Sequence, residues 1–584
     1  MTDPVNWNFT AETNAQGRTY IKAYKMVWDK VAKKPKRALR RHVGRLLPDD
    51  RIAMSEKFLA DHPQYRGQDW YWGASKRPVT LAEYKNDFPS HSGTPADAED
   101  FDMLGNISVG LTWAAYQFAH RSGILKHLKQ VFGDDTGEQL LYLALYKLAG
   151  GTSMMTYDFW RQQVWLPKNI RLSGQRISNI LQSITKSQIN EYFQLRHLRQ
   201  DEVWEKIFEK QPELKGKKIE YALDSTSISS YSDNPLAQFG HAKQNESLKQ
   251  INLTVVCDQR SGEIVFAYLY DGSVNDVVSL QDVLWAMKEA NFDLSNNILV
   301  TDRGYNSLIN VQKMINIDWS FVQGVKRQED VIKRAFKRHH ASLMNGAFYN
   351  GRLRASAFTY KEEWEQGQVK CPVYVHLYRL DERYEQQRAL IWENVAEMIE
   401  LKQRQERVPS DQWDNYGRYL VERKNEDGSS TWMIDTARMD LAAEKATQFV
   451  LRSNCISNPF EALEIYRHRG IVEQDFNQMK NWVNGDRLQV GAKAVQGKML
   501  VTVLVTTLRM MMLFTAKAVI EKNPGYRIPN DSIDYLLKSL EMVKAEKRKN
   551  ANAWVRNTIP AKRRRCFELL ELPEPPRTLL VGSR

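Results

Sequence analysis

The stretch Lys218-Ile-Glu-Tyr-Ala-Leu-Asp224 decides the fold, because it is an apolar strand pattern that ends in a carboxylate. Strand patterns return over residues 251–258 and 264–270, with a turn at Gly262 between them. The elements predicted after them are a helix over 277–290, a strand over 297–301, a helix over 307–315 and a strand over 319–323. Three strands, a helix, a strand, a helix and a strand are the order of the ribonuclease-H-like fold. The sequence therefore predicts an α/β core with a mixed sheet.

A second stretch, Glu464-Ile-Tyr-Arg-His-Arg-Gly-Ile-Val-Glu-Gln-Asp-Phe-Asn-Gln-Met-Lys480, places four polar side chains at helical spacing. They are Tyr466, Arg469, Glu473 and Lys480. At about 100° per residue the four fall within an arc of about 60° on one helix face. A phenol, two cations and a carboxylate are unusual on a buried face, but they are explained if the carboxylate binds a metal ion and the others bind a polyanion. A solvated charged helix remains the alternative.

Asp224 and Asp302 are predicted to join Glu473 in a metal site, because each aspartate follows a predicted strand. Carboxylates from separate elements repel one another unless divalent cations lie between them. Two such ions about 3.5 to 4 Å apart would bind phosphate oxygens and activate a water or a 3′-hydroxyl. Magnesium fits because it takes few carboxylates and keeps water and phosphate as its other ligands, and no Cys or His cluster indicates zinc. Taken singly, each aspartate is also explained as a turn residue at a strand end.

Asp302 begins the motif Asp-Arg-Gly-Tyr, in which Gly304 allows a tight exit from the strand. Arg303 and Tyr305 of this motif are predicted to contact DNA. Two other acids have simpler interpretations. Asp258 is interpreted as a turn acid. Asp276 could support the site, although a role as N-cap of the helix over 277–290 explains it without chemistry.

Composition indicates a globular protein with a basic surface. The 584 residues suggest three or four domains, and a hydrophobic content of 42% is enough for several cores. The net charge is +13, and basic residues are concentrated over 33–45 and 544–565. Such runs neutralise phosphates and attract a protein to nucleic acid, although a solvated basic hairpin or tail is the alternative.

The cysteines and the hydropathy of the chain indicate the cellular compartment in which it works. The four cysteines lack metal-ligand spacing, so we expect free thiols in a reducing environment. The N-terminal residues show no secretory signal. The most apolar segment, 499–514, contains Arg509 and is shorter than a bilayer-spanning helix. We therefore expect a core helix there and no membrane partner.

The N-terminal side is predicted to contain two parts. Residues 1–100 form a basic β-hairpin followed by a loosely structured linker rich in Pro, Gly, Asp and Ser. Residues 101–212 form a helical domain, in which Ser173 caps a helix with an apolar face. That domain either reads DNA or only packs.

The remainder is predicted to contain an interrupted core. Residues 213–325 and 448–520 form the catalytic core, because its third carboxylate lies far downstream of its last predicted strand. A mainly β insertion fills 326–447 and includes a hairpin turn at Asp427-Gly428. Residues 521–584 form a basic C-terminal region.

The spacing Tyr-x2-Arg-x3-Glu-x6-Lys at Tyr466, Arg469, Glu473 and Lys480 resembles the signature of bacterial insertion-sequence DDE transposases of the insertion-sequence-four superfamily. The likeness extends through Gly240-His-Ala-Lys243, Gly272-Ser-Val-Asn-Asp276, Thr301-Asp-Arg-Gly-Tyr-Asn306 and Phe476-Asn-Gln-Met-Lys-Asn481. It is closest to the branch named for insertion sequence sixteen-thirty-four, including a basic hairpin near Trp28. One departure is Gly470, where some relatives have a tryptophan after the signature arginine.

The resemblance implies an enzyme that binds the inverted repeats at the ends of its element. It would cleave there by metal-dependent phosphodiester hydrolysis and join the 3′-hydroxyl ends to target DNA. The metal would be Mg²⁺ or Mn²⁺, with two ions in the site. The implied catalytic residues and metal ligands are Asp224, Asp302 and Glu473. The residues implied to hold DNA near the cut are Tyr466, Arg469 and Lys480. It also implies a homodimer in the synaptic complex and a cytoplasmic, nucleoid-associated location in a bacterium.

Two other functions stay open from the sequence. One is a nuclease of the same fold that cuts DNA without strand transfer. The other is a non-catalytic DNA-binding repressor derived from a transposase, against which the intact set of three acids argues.

Overall fold

A computed structural model of the chain describes residues 7–14, 19–29, 34–47, 50–87, 105–212, 215–232, 234–240, 248–292, 297–366, 369–426, 428–482, 487–488, 491–547 and 553–580. The chain divides into two compact units. The first consists of Met1–Arg199 and Asn477–Arg584, and the second is Gln200–Phe476.

The first unit begins with an antiparallel sheet, which confirms the predicted hairpin. Its strands are β1 Asn8–Thr13, β2 Thr19–Asp29, β3 Lys34–Leu46 and β4 Ile52–Met54, in that order across the sheet. Ile21, Ala23 and Val43 are buried on one face, as the alternation predicts for a half-covered sheet. Residues 30–33 of the basic turn lie outside the described residues.

The predicted loose linker is wrong for residues 50–87, which carry regular structure. The elements are α1 Glu56–Asp61, β5 Trp70–Trp72, β6 Pro78–Thr80 and α2 Leu81–Asp87. Aromatic side chains hold this segment together, because Tyr71 stacks on Tyr84 with ring centroids 4.9 Å apart. The Tyr84 hydroxyl donates to Asp50 Oδ2 over 2.9 Å. Residues 88–104 lie outside the described part.

The next part is mainly helical, as predicted. A short strand, β7 Asn106–Ser108, precedes its helices. The helices are α3 Gly110–Arg121, α4 Ile124–Phe132, α5 Asp134–Leu148, α6 Tyr157–Arg161, α7 Gly174–Ser183 and α8 Lys186–Lys210. The Ser173 side chain accepts a hydrogen bond from Arg176 N, which confirms the predicted N-cap of α7. Whether these helices read DNA stays a prediction.

The second unit contains the predicted core sheet. Its first strands are β8 Ile219–Ser230, β9 Gln250–Asp258, β10 Ile264–Asp271, β11 Asn297–Thr301 and β12 Ser320–Gly324. They lie in the order β10-β9-β8-β11-β12. β8, β9 and β10 are antiparallel neighbours, whereas β8, β11 and β12 run parallel. The helices between them are α9 Asp276–Glu289 and α10 Leu308–Asn316. The predicted element order is therefore confirmed.

Two local predictions in this core are wrong. Asp224 does not end its strand, because β8 continues to Ser230 and pairs Asp224 with Val255 of β9. The N-cap of α9 is Asn275, whose side chain accepts from Val278 N, rather than Asp276.

The predicted mainly β insertion is in fact mixed. Its helices are α11 Asp330–Met344, α12 Asp381–Gln403, α13 Ser410–Tyr416 and α14 Thr436–Thr447. Its strands are β13 Tyr349–Asn350, β14 Ala355–Gln366, β15 Val369–Leu380, β16 Leu420–Lys424 and β17 Ser430–Ile434. Ile391, Val395 and Met398 are buried on α12 at a helical period, which the strand signals on either side obscured. The hairpin of β16 and β17 is confirmed, with Asp427 itself outside the described residues.

The strand signals of the insertion belong partly to the core sheet. After the insertion the chain returns in β18 Gln448–Ser453, which pairs antiparallel with both β12 and β15. β15 pairs with β14, and β14 with β13, so the core sheet continues through these strands. The insertion is therefore not a separate β domain. Helices α15 Pro459–His468 and α16 Gly470–Asn477 follow.

The described C-terminal part of the first unit is folded, including most of the region predicted to be basic. A π-helix over Gln478–Trp482 and β19 Arg487–Leu488 precede α17 Val495–Lys522, which the sequence had assigned to the catalytic core. The later elements are α18 Ile533–Glu541, β20 Lys544–Lys547, β21 Ala553–Arg556, α19 Ala561–Leu569 and β22 Thr578–Leu580. The strands form a sheet in the order β22-β21-β20-β7. Part of the basic charge is internally neutralised, since Arg564 pairs with Glu574 at 2.6 Å.

One helix of the described chain, Ala492–Lys522, is long and apolar enough to cross a membrane. Of its most apolar window, 83% is buried inside the protein. This burial is what the sequence predicts for a core helix.

Asp258 provides a test of the hairpin between β9 and β10. Its carboxylate accepts from Arg260 N at 2.8 Å and from the Ser261 hydroxyl at 2.9 Å, as expected of a turn acid. Burial raises the pKa of Asp258 to about 6. An unfolded aspartate titrates near pH 4, so the folded state binds more protons between about pH 4 and 6 and stability falls as the pH rises through that window.

We therefore predict that Asp258→Asn removes the loss of folding stability that accompanies ionisation of the buried Asp258 carboxyl. The free energy of unfolding of the variant relative to the natural protein should rise by about 3 kcal/mol between pH 4 and pH 7. Chemical denaturation at several pH values measures this difference. If the free energies of unfolding of the two proteins change in parallel with pH, the raised pKa of Asp258 is contradicted.

Candidate active site

Two of the three predicted acids are placed side by side by strand register. Leu223 of β8 pairs with Thr301 of β11, so Asp224 and Asp302 are the next residues on neighbouring parallel strands. Adjacent strands lie about 4.8 Å apart. Asp302 leaves the sheet there, because a turn of 3₁₀-helix over Arg303–Tyr305 begins immediately after it.

Arg469 connects the first acid to the third. Its Nη1 donates to Asp224 Oδ2 at 3.2 Å, and its Nη2 donates to Glu473 Oε1 at 3.0 Å. The Glu473 side chain is 65% exposed, whereas that of Arg469 is only 11% exposed. A buried guanidinium requires such pairing, because an isolated charge is costly away from water. One cation therefore bridges two carboxylates that are 249 positions apart in the sequence.

The charges around Arg469 are reflected in its pKa. Burial alone would lower the pKa of this guanidinium, but the neighbouring Tyr466, Asp302, Asp224 and Glu473 raise it above its ordinary value. Arg469 is therefore firmly cationic. Its Nε has no hydrogen-bond partner among the described residues.

Tyr466 connects the second acid to the same helix. Its hydroxyl donates to Asp302 Oδ1 over 2.9 Å. Burial, and then the charge of Asp302, raise the pKa of Tyr466 well above the ordinary range, so the phenol remains a donor. The Arg469 guanidinium lies 5.4 Å from the centroid of the Tyr466 ring. The three acids are thus held around one tyrosine and one arginine.

Helix α15 positions these two residues. It begins at Pro459, where the Asn458 side chain accepts from Phe460 N and Glu461 N. Its buried face, Ala462, Leu463 and Ile465, packs in the same apolar cluster as residues of β11, β12 and β18. Because the helix is packed in this way, Tyr466 and Arg469, which follow the buried residues, lie next to Asp302 and Asp224.

The single helix face predicted from spacing is only partly correct. Helix α15 ends at His468, Arg469 lies at the junction, and α16 begins at Gly470. Helical geometry is retained locally, since Val472 N donates to Arg469 O at 3.0 Å. Lys480 lies beyond, in the π-helix over Gln478–Trp482, where the residue period differs from 3.6. The structure therefore brings together Tyr466, Arg469 and Glu473, while Lys480 belongs to the other unit.

The two remaining predicted contacts have different outcomes. Arg303 is exposed and remains a candidate for DNA binding. Tyr305 is only 1% exposed and belongs to the largest fully buried side chains, so the predicted DNA contact is not supported.

The donor set is suitable for a hard cation, but the acids do not form a ready metal site. Carboxylate oxygens are the ligands that Mg²⁺ prefers. Yet among the residues described here no group of three or more His, Cys, Asp or Glu side chains is arranged to hold a metal ion. Asp224 and Glu473 are joined through Arg469 instead of directly.

A family comparison agrees with this arrangement. The family model described as a transposase DDE domain matches residues 215–508, which is just over half of the chain and includes all three acids. The chain belongs to the DDE transposases.

Other comparisons add little to this family assignment. No curated protein matches this transposase. A cryo-EM structure of a piggyBac transposase synaptic complex with hairpin DNA is similar over 70% of each chain, with 12% sequence identity and a TM-score of 0.32. That degree of likeness is too low to transfer structural detail to this transposase.

The sequence reading missed two residues that lie close to the transposase site in the chain or in space. Asp475 is fully buried on α16, and burial raises its pKa well above the ordinary value beside the Cys257 thiol. Gly324, the last residue of β12, lies against the site without a side chain. A Cβ there would stand 2.9 Å from both Arg303 N and the Tyr466 hydroxyl oxygen. A polar residue inside an otherwise apolar face and a glycine at a strand end were the available signals.

We predict that Gly324→Ala displaces the Tyr466 hydroxyl from Asp302. Overpacking of this kind costs about 1 to 3 kcal/mol of stability, and transposase activity should fall with it. Thermal unfolding and a DNA cleavage assay measure the two effects.

Two further variants test whether the clash with the Tyr466 hydroxyl, rather than the added methyl group itself, causes these effects. Adding Tyr466→Phe to Gly324→Ala removes one of the two clashing atoms and should recover part of the stability. Gly470→Ala is the matched control, because nothing lies within 4 Å of its added Cβ. A Gly324→Ala protein as stable and active as the natural one would refute the close approach.

Proposed function

We propose that this chain cleaves DNA at the ends of its element and transfers the 3′-hydroxyl ends to target DNA, using a ribonuclease-H-like core. The observation that carries the proposal is the convergence of Asp224, Asp302 and Glu473 around Arg469 and Tyr466. Asp224 lies on β8, Asp302 follows β11 and Glu473 lies on α16, so three separate elements each bring one carboxylate to this place. Clustered carboxylates repel one another unless cations lie among them, and both Arg469 and divalent ions can fill that role.

The cations are proposed to be two divalent ions, Mg²⁺ or Mn²⁺. Asp224, Asp302 and Glu473 would hold them, and they would supply activation of the attacking oxygen and stabilisation of the leaving oxygen. The exposed side chain of Glu473 is accessible to ions from solvent. Arg469 supplies positive charge to Asp224 and Glu473 in their absence, so ion binding and this ion pair compete for the same oxygens.

The chain's own residues orient the acids and the DNA. Tyr466 fixes Asp302 through its hydroxyl hydrogen bond. Arg469 is proposed to contact a DNA phosphate once its carboxylates are engaged by metal, because a guanidinium binds phosphate as well as carboxylate. Arg303 and Lys480 are proposed as further phosphate contacts. These contacts are independent of base sequence.

The partners proposed for the whole protein are DNA and a second copy of itself. The basic regions over 33–45 and 544–565 would bind the inverted repeats or the target. A homodimer would hold two element ends in one synaptic complex. The proposed setting is the cytoplasm of a bacterium, in association with the nucleoid.

The proposal predicts that cleavage depends on each acid. Purified protein, Mg²⁺ and a duplex carrying the inverted repeat that flanks the gene should give cut ends and joined end-to-target products. Asp224→Asn, Asp302→Asn and Glu473→Gln should each reduce product by at least about a hundredfold, the scale of losing a residue that stabilises the transition state. Asp271→Asn, at the end of strand β10 in the same sheet, is the control and should retain activity.

The products distinguish the alternatives. Cut ends without joined products would favour a nuclease. An Asp302→Asn protein that cleaves like the natural one would exclude Asp302 from the mechanism.

Metal binding gives a test that does not depend on activity. A ligand that binds only the folded state at about 100 times its Kd stabilises it by about 2.7 kcal/mol. Mg²⁺ or Mn²⁺ should therefore raise the Tm of the natural protein and of Asp271→Asn, but not that of Asp224→Asn. Equal shifts in all three proteins would place the ions elsewhere.

A further inference from the structure

A cavity beside the active site is lined by three arginines, and none of the described residues that line it is acidic. Its volume is about 380 Å³, within the range of sites that bind small ligands. Arg303, Arg327 and Arg383 line it, together with the ring of Phe449. The other polar lining residues are the amides Gln386, Gln387 and Gln448. All of these residues belong to the second unit.

The three arginines come from different elements of the core and the insertion. Arg303 follows Asp302 in the 3₁₀ turn, and Arg327 follows β12. Arg383 lies on α12, where Gln386, Gln387 and Leu390 continue the same face at helical spacing. The fold thus gathers one cation from each of three segments at one place.

These arginines have no acidic partner in the described part of the chain. Arg327 donates a hydrogen bond to the backbone oxygen of Lys445. Arg383 lies over the Phe449 ring, 4.9 Å from its centroid. Burial lowers the pKa of Arg383, and the nearby Arg303 and Arg327 lower it further, against an opposing effect of Tyr466. Such a concentration of like charge is relieved by an anion.

The cavity is connected to the acid site through two aromatic rings. Phe449 packs against Tyr466 with ring centroids 5.2 Å apart. The hydroxyl of Tyr466 donates a hydrogen bond to Asp302. Arg303, which lines the cavity, directly follows Asp302 in the chain. An anion in the cavity would therefore lie close to Asp302.

We propose that the pocket of Arg303, Arg327 and Arg383 binds a phosphate of the DNA strand next to the cleaved bond. The proposal rests on the proposed DNA-cleaving function and extends it to the insertion. Guanidinium groups suit phosphate because their N–H donors match its oxygens in pairs. Phe449 forms the apolar wall behind Arg383, and the three amides add neutral donors. The insertion would thus position the strand that the core cuts.

The phosphate has two possible sources with the same chemistry. It is either an internal phosphodiester or the terminal 5′-phosphate that hydrolysis leaves. A duplex nicked at the cleavage position, carrying either a 5′-phosphate or a 5′-hydroxyl, distinguishes them. Tighter binding of the 5′-phosphate form by the natural protein alone, lost in Arg383→Gln, indicates the terminal group.

The test removes one DNA charge at a time. Duplexes with the flanking inverted repeat would carry a single neutral methylphosphonate at successive positions around the cleavage site. For the natural protein, we expect one position to weaken binding by roughly tenfold or more, the scale of a lost charge-assisted hydrogen bond. For Arg383→Gln and Arg327→Gln, binding should already be weaker, and the same methylphosphonate should have little further effect. Each variant should also lower the salt dependence of binding by about one ion.

Arg388→Gln is the matched control. Arg388 lies on the same helix, outside the pocket, and pairs with Asp440 at 3.6 Å. This variant should keep the full methylphosphonate effect. Arg327→Gln keeps the test valid if Arg383→Gln is unstable, because Arg327 is exposed and its loss leaves no buried group.

The outcomes separate this proposal from the function on which it rests. If the natural protein cleaves the repeat but every methylphosphonate acts equally on it and on the two pocket variants, the pocket proposal is overturned alone. If the natural protein neither binds nor cleaves the repeat, both proposals fail.

Discussion

The site depends on one ion-paired arginine. Arg469 donates to Asp224 with one nitrogen and to Glu473 with another, and it is buried while it does so. A bridging guanidinium turns the repulsion between two carboxylates into two attractions. Removal of the cation would leave the carboxylates facing each other without compensation, which is far more costly than never having placed them there. The acids are held together because this cation lies among them.

Packing of an apolar helix face makes that ion pair possible. Ala462 and Leu463 bury α15 against the sheet, and this burial fixes the direction of the following turn. Tyr466 and Arg469 then reach Asp302 and Asp224, which the parallel register has placed at equivalent positions. Gly324 keeps the space that the Tyr466 hydroxyl occupies. The polar site is thus set by apolar contacts and by the absence of one side chain.

The insertion contributes more to the site than its sequence suggests. Strands β14 and β15 extend the core sheet through β18, and α12 directs Arg383 toward the cavity beside Tyr466. The sequence predicted a mainly β domain because alternation in the strands is a strong local signal, whereas the apolar residues of α12 occupy a narrow stripe. Pairing between β12, β18 and β15 could not be read locally, since it joins segments far apart in the chain.

Sequence alone determined the order of the core elements, the three acids and the spacing of Tyr466, Arg469 and Glu473, because strand alternation and helical period are local properties of the chain. It also gave the family to which the chain belongs. Tertiary structure decided that Arg469 binds Asp224 and Glu473, that Tyr305 is buried, and that three arginines converge on one cavity. Each of these depends on which distant side chains occupy the same space, and no local pattern encodes that.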